Sequence, residues 1–130
     1  MNESNQLKLN VLLIDDDPTI SAIIVDMLKR AGHEVTHMLD GRKAVEMAEE
    51  KEPDVIILDL MMTKLPGEDV LKQFVHHDTL KSVPILVFSN QGIEQDMSHF
   101  EERGAAKVLI KADTSMSKLV KVVEELAVAK

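Results

Sequence analysis

Three apolar runs set the rhythm of this chain: Val11-Leu12-Leu13-Ile14, Val55-Ile56-Ile57-Leu58 and Ile85-Leu86-Val87-Phe88. Each breaks off at a polar residue, Asp15, Asp59 and Ser89 in turn. Short apolar runs bounded by turn signals read as strands buried on both faces. Two weaker strands complete the set. Glu34-Val35-Thr36-His37-Met38 alternates and is more polar, and Ala106-Lys107-Val108-Leu109-Ile110 carries a lysine before ending at Lys111.

Between the strands the apolar period changes to that of a helix. Ile20, Ile23, Ile24, Met27 and Leu28 form one stripe, started by Asp17 as N-cap with Pro18 at the first position and stopped at Ala31-Gly32. A second helix opens at Asp40-Gly41 and runs to about Glu50, with Ala44, Val45, Met47 and Ala48 inward. A third follows the Pro66-Gly67 turn with Val70, Leu71 and Phe74, and ends at His76-His77-Asp78. Gly92 leads into a fourth stripe of Ile93, Met97 and Phe100, stopped by Gly104, and Met116, Leu119, Val120, Val123 and Leu126 line a closing helix. Strand and helix alternate five times, which predicts an α/β protein, a doubly wound five-stranded parallel sheet with helices on both faces. The polar strands belong at the edges, giving the order 2-1-3-4-5. Residues 1–8 read as a polar tail and residues 9–130 as a single domain.

Composition narrows the function. The 130 residues suit one core. A net charge of −8 argues against direct nucleic-acid binding, which needs clustered Lys and Arg. The absence of Cys excludes disulfides and thiolate metal sites. No signal peptide and no run near the ~20 apolar residues of a membrane helix are visible, so a cytoplasmic protein without membrane insertion is expected. With three Phe and neither Trp nor Tyr, the core rests on aliphatic side chains and eight Met, read as filler.

Right-handed crossovers bring all strand ends to one rim. Asp15, Asp16, Asp59, Ser89 and Lys111 meet there. Neighbouring carboxylates repel unless a cation joins them, and Mg²⁺ accepts such oxygen ligands. Lys111 then faces the metal, Ser89 donates a hydrogen bond, and Asp59 becomes a nucleophile towards a phosphoryl group. Helix capping alone accounts for one acid, and Asp17 fills that place, leaving Asp15 and Asp16 to the rim. His76-His77 reads as a solvated helix end, since adjacent helical side chains point apart. Glu94, Asp96, Glu101 and Glu102 read as a solvated helix face.

The triple acid after Val-Leu-Leu-Ile, Leu58-Asp59-Leu60-Met61-Met62 with Gly67 downstream, Ser89 after an apolar strand, and Lys111 after Gly104-Ala105-Ala106 resemble a response-regulator receiver domain of two-component signalling. The resemblance spans about residues 9–126. It implies the flavodoxin-like fold, a stand-alone receiver, phosphorylation at Asp59, and Mg²⁺ held by Asp15, Asp16, Asp59 and the backbone carbonyl of Met61. Ser89 and Lys111 would contact the phosphoryl group. It implies no enzyme beyond Mg²⁺-dependent self-phosphorylation and slow autodephosphorylation. The donor would be a sensor histidine kinase or phosphotransfer protein, and the output a downstream protein, a second copy of the chain or onward transfer of the phosphate. Four positions depart from the family pattern. Thr63 and Ala112 stand where proline is usual, and Asn90 where a small residue is usual. Val108 replaces the aromatic ring that ordinarily reports phosphorylation. At Lys111-Ala112 a trans peptide is expected, because cis costs ~2.5–4 kcal/mol before a non-proline residue, and Lys111 is then less firmly aimed. Two other readings compete. One is a phosphorylation-independent interaction module of the same fold. The other is a haloacid-dehalogenase-type phosphatase, suggested by Asp15-x-Asp17-x-Thr19 but lacking a later acidic pair and a cap domain.

Overall fold

The computed structural model describes residues 8–90 and 98–129. The strands are β1 (Asn10–Ile14), β2 (Glu34–Met38), β3 (Val55–Leu58), β4 (Ile85–Ser89) and β5 (Lys107–Ile110). All pair in parallel, in the expected order β2-β1-β3-β4-β5. Between them run α1 (Pro18–Arg30), α2 (Ala44–Lys51), α3 (Gly67–Val75), α4 (Ser98–Glu102) and α5 (Met116–Ala129). The apolar strands are central, and β2 is only half-buried at its edge.

The strand period of two divides the core cleanly. Leu12, Ile14, Ile56, Leu58, Ile85 and Val87 face α2, α3 and α4, packing on Ala44, Ala48, Val70, Phe74 and Phe100. Val11, Leu13, Val55, Ile57, Leu86 and Phe88 face α1 and α5, packing on Ile24, Leu28, Leu119 and Val123. All three phenylalanines are fully buried, one in β4 and one in each of α3 and α4. A buried ring links α1, β1 and α5. The His33 Nδ1 accepts the Leu9 N–H at 3.1 Å, and its Nε2 donates to the Glu124 carboxylate at 2.8 Å. No helix among the described residues is long and apolar enough to cross a membrane.

α1 begins as expected: Asp17 Oδ1 accepts from Thr19 N–H at 3.0 Å and Ile20 N–H at 3.4 Å, with Pro18 at the first position. It ends at Ala31, followed by Gly32 at φ +99°, a conformation glycine adopts without strain. α2 starts at Ala44, later than the sequence suggested. Residues 40–43 form a turn in which the Asp40 carboxylate accepts the Arg42 N–H at 2.9 Å, diverting that amide from a helix start. His77 is not a solvated helix end. Its Nε2 bonds the Glu49 carboxylate of α2 at 2.7 Å, while its Nδ1 accepts from Leu80 N–H at 3.1 Å, so one ring ties α2 to the turn after α3. Of the fourth stripe, Phe100 is buried, and Glu101 and Glu102 are exposed on α4. Gly92, Ile93, Glu94, Asp96 and Met97 lie outside the described residues, as does the tail apart from Lys8. Methionine is not uniformly filler either: Met62 is buried, but Met61 is 57% exposed.

Ser21 lies fully buried in α1, and its hydroxyl has no hydrogen-bond partner among the described residues. Such a group costs desolvation without return. Ser21→Ala is therefore expected to raise stability by about 1 kcal/mol, read as a higher urea midpoint at unchanged slope.

Candidate functional site

The sheet's carboxyl edge is built by extending its own ladders. Asp15 N–H donates to the Met38 carbonyl and Asp59 N–H to the Ile14 carbonyl, each at 3.0 Å. Both acids thus sit one step past their strands with their backbones pinned. His37 Nε2 adds a 2.9 Å bond to the Asp15 carbonyl from the neighbouring strand. After Asp59 the chain turns back tightly: Gly67 N–H, at the start of α3, donates to the Leu60 carbonyl at 3.1 Å. A methyl group on Gly67 would collide with the Asp59 carbonyl oxygen and the Leu60 Cα, so only glycine lets α3 approach this closely.

Three of the expected acids converge. Asp15, Asp16 and Asp59 each offer a carboxylate oxygen, all within 4.8 Å of one another. Lys111 reaches in from the end of β5, its Nζ 2.7 Å from Asp15 Oδ2 and 3.3 Å from Asp59 Oδ2. The side chains of Asp15, Asp59 and Lys111 are 1%, 5% and 10% exposed, so these charges meet largely out of water. Backbone amides also engage one oxygen on each acid. Asp15 Oδ1 accepts from Asp17 N–H at 2.9 Å, Asp59 Oδ1 from Met61 N–H at 3.1 Å, and Asp16 Oδ2 from Thr63 N–H at 3.1 Å. Ser89 is buried at the end of β4.

Burial and the nearby Asp59 charge push the Asp15 carboxyl above its ordinary range, and the hydrogen bond and charge of Lys111 only partly offset them. At Lys111 burial opposes the charged form. The hydrogen bond to Asp15 and the charges of Asp15 and Asp59 outweigh it, so the ammonium is held above the ordinary lysine value of 10.5. Three carboxylates gather around one ammonium that contacts two of them, which leaves negative charge uncompensated. Hard carboxylate oxygens at this spacing fit a divalent cation such as Mg²⁺.

Two of the departures noted in the sequence are in contact: Ala112 N–H donates to Asn90 Oδ1 at 2.9 Å. The Lys111-Ala112 peptide is trans. Lys111 is nonetheless aimed firmly, against expectation, because Asp15 and Asp59 both grip its ammonium. Val108 is buried among the α2–α4 core side chains, opposite Val87. Asp17 is engaged at the α1 N-cap, away from the role that the phosphatase alternative requires of it. Sequence reasoning missed His37 as a support of Asp15 and Thr63 as a support of Asp16. Both contacts cross between elements, from the adjacent strand and from the loop after β3, so no local pattern carries them.

The family model for the response regulator receiver domain matches residues 11–124. The transcriptional regulator RpaA of Synechocystis is 35% identical over 101 residues, 78% of this chain and 42% of that protein. Protein PilH of Pseudomonas aeruginosa is 28% identical over 101 residues, 78% of this chain and 84% of that protein. The match thus takes up less than half of RpaA but most of PilH. Among solved structures, a putative response regulator from Chloroflexus aurantiacus superposes with a TM-score of 0.85 at 27% identity, covering 94% of this chain and 99% of that one.

Two outcomes are expected of the metal-free protein. A group whose folded pKa is raised contributes stability that is complete below its unfolded value and fades as pH rises through the folded one. The Lys111 contribution is therefore full below pH 10.5 and declines above it. Urea-unfolding curves of wild type and Lys111→Met should converge as pH climbs past that point, and a constant gap would refute the assignment. Gly67→Ala should cost about 2 kcal/mol through steric overlap at the Asp59–Leu60 backbone, measured in the same way.

Proposed function

Because this chain belongs to the response regulator receiver domain family, the signalling modules of two-component systems, we propose that it takes a phosphoryl group onto Asp59. The observation that carries this reading is the Lys111 ammonium shared between Asp15 and Asp59 beside the Asp16 carboxylate. The donor is a phosphohistidine on a sensor kinase or phosphotransfer protein. An Asp59 oxygen attacks phosphorus, an O–P bond forms, the P–N bond breaks, and the leaving imidazole nitrogen keeps the electron pair and takes a proton. Asp59 suits the role because its backbone is pinned to β1 and its Oδ1 is oriented by Met61 N–H.

Lys111 stays on Asp15 through the shorter contact and turns the looser one, now on Asp59, to a phosphoryl oxygen. Ser89 donates its hydroxyl to another. Asp15, Asp16, Asp59 and the Met61 carbonyl would hold Mg²⁺, which supplies positive charge against the acids and the phosphoryl oxygens. Thr63 keeps the Asp16 carboxylate turned to that cluster. Residues 9–130 act as the receiver unit, in the cytoplasm, and its output is a protein contact. Val108 offers no ring to rotate, so that output does not run through an aromatic switch at this position.

Incubation with acetyl phosphate and Mg²⁺ should add one phosphoryl mass per chain. Chelation or Asp59→Asn should abolish the gain, and Asp16→Ala should slow it at least about tenfold, the order lost when a metal ligand or its support is removed. Equal labelling of Asp59→Asn would move the acceptor elsewhere. No labelling of wild type by any donor would end the reading.

A further inference from the structure

Lys111 sits at the first position of a 3-10 turn, Lys111–Asp113, that leaves the end of β5. Two side chains hold this turn. Thr114 Oγ1 donates to the Ile110 carbonyl at 2.7 Å, closing it from within. From the neighbouring strand, Asn90 Oδ1 accepts the Ala112 N–H at 2.9 Å. The Asn90 contact begins where the β4–β5 ladder ends, since the last paired residues are Ser89 and Ile110. One residue further on, the Asn90 carboxamide replaces a main-chain carbonyl as acceptor and carries the tie between the two strand ends past the ladder. Only a residue with an N–H at position 112 can use it, and Ala112 has one.

We infer that Asn90 is a positioning residue for Lys111, holding through Ala112 the backbone from which the ammonium reaches Asp15 and Asp59. The inference rests on the reading of Asp59 as phosphoryl acceptor. A lysine ammonium ends a flexible four-carbon stem, so where its charge sits depends on where its Cα is fixed. Charge that is already in place stabilises a transferring phosphoryl group, and charge that must be recruited does so less. Among the described residues Asn90 hydrogen-bonds neither Asp15 nor Asp59; it acts on the turn. Its exposure also means that truncation removes the hydrogen bond and leaves the core intact.

The test is a double-mutant cycle of wild type, Asn90→Ala, Lys111→Ala and the pair. It is read as the initial rate of acetyl-phosphate labelling in Mg²⁺, alongside hydrogen exchange of the Ala112 amide. Asn90→Ala should expose the Ala112 amide to exchange and slow labelling about fivefold, the order of one lost neutral hydrogen bond. In the Lys111→Ala background the same substitution should leave the residual rate unchanged, a non-additivity that a merely structural role does not produce. Additive losses, or a labelling rate in Asn90→Ala equal to or above wild type, overturn the inference while leaving Asp59 as acceptor. A wild-type chain that acquires no phosphoryl group overturns both.

Discussion

Charge crowding at one sheet edge is the constraint on which the rest of this molecule turns. A parallel sheet delivers every strand end to the same side, and here three of those ends carry acids or the lysine that answers them. The acids cannot retreat from one another. Asp15 and Asp59 are pinned by ladder hydrogen bonds across β2, β1 and β3, and Asp16 is held by the loop after β3. One ammonium, itself largely buried, meets two of the three carboxylates. Such an arrangement works against the fold that contains it: burial out of water, with the Asp59 charge adding to it, pushes the Asp15 carboxyl towards its neutral form. The aliphatic core on both faces of the sheet bears that cost, and a site this highly charged persists because its backbone has nowhere to relax.

The architecture was legible because it depends on period alone. Wholly apolar runs marked the central strands, and their alternation assigned Leu12 and Ile14 to one helical layer and Val11 and Leu13 to the other. The α1 N-cap was legible for the same reason, as Asp17 and Pro18 act on their own helix. What could not be read were contacts made by register and loop closure. His37 reaches Asp15 because β2 lies beside β1 in a particular alignment, and Thr63 reaches Asp16 because Gly67 folds the intervening loop back. The late start of α2 belongs to the same class. A helix opening at Asp40-Gly41 is the natural reading, but the Asp40 side chain outcompetes the helix for the Arg42 amide. His77 looked solvated because its partner Glu49 lies on a different helix.

Read one position at a time, Asn90 and Ala112 are two unrelated oddities; in space they are one hydrogen bond. Each makes sense only with the other, as a carboxamide oxygen needs an N–H and proline has none. The loss anticipated at Lys111 from the absence of proline is thus met by a side-chain tie from the next strand. The sequence holds both residues but not their adjacency, which follows from the Ser89–Ile110 register.

Val108 completes the physical picture. Packed against the α2–α4 layer and opposite Val87, it is a β-branched residue with a restricted side chain, and it has no ring to swing between core and solvent. A change at Asp59 therefore has a direct path to β5 through Lys111, whose ammonium contacts both Asp15 and Asp59. The backbone of Lys111 is continuous with the turn that Asn90 and Thr114 hold. The acids are thus joined through one lysine to a hydrogen-bonded turn, with no aromatic ring at position 108 to rotate.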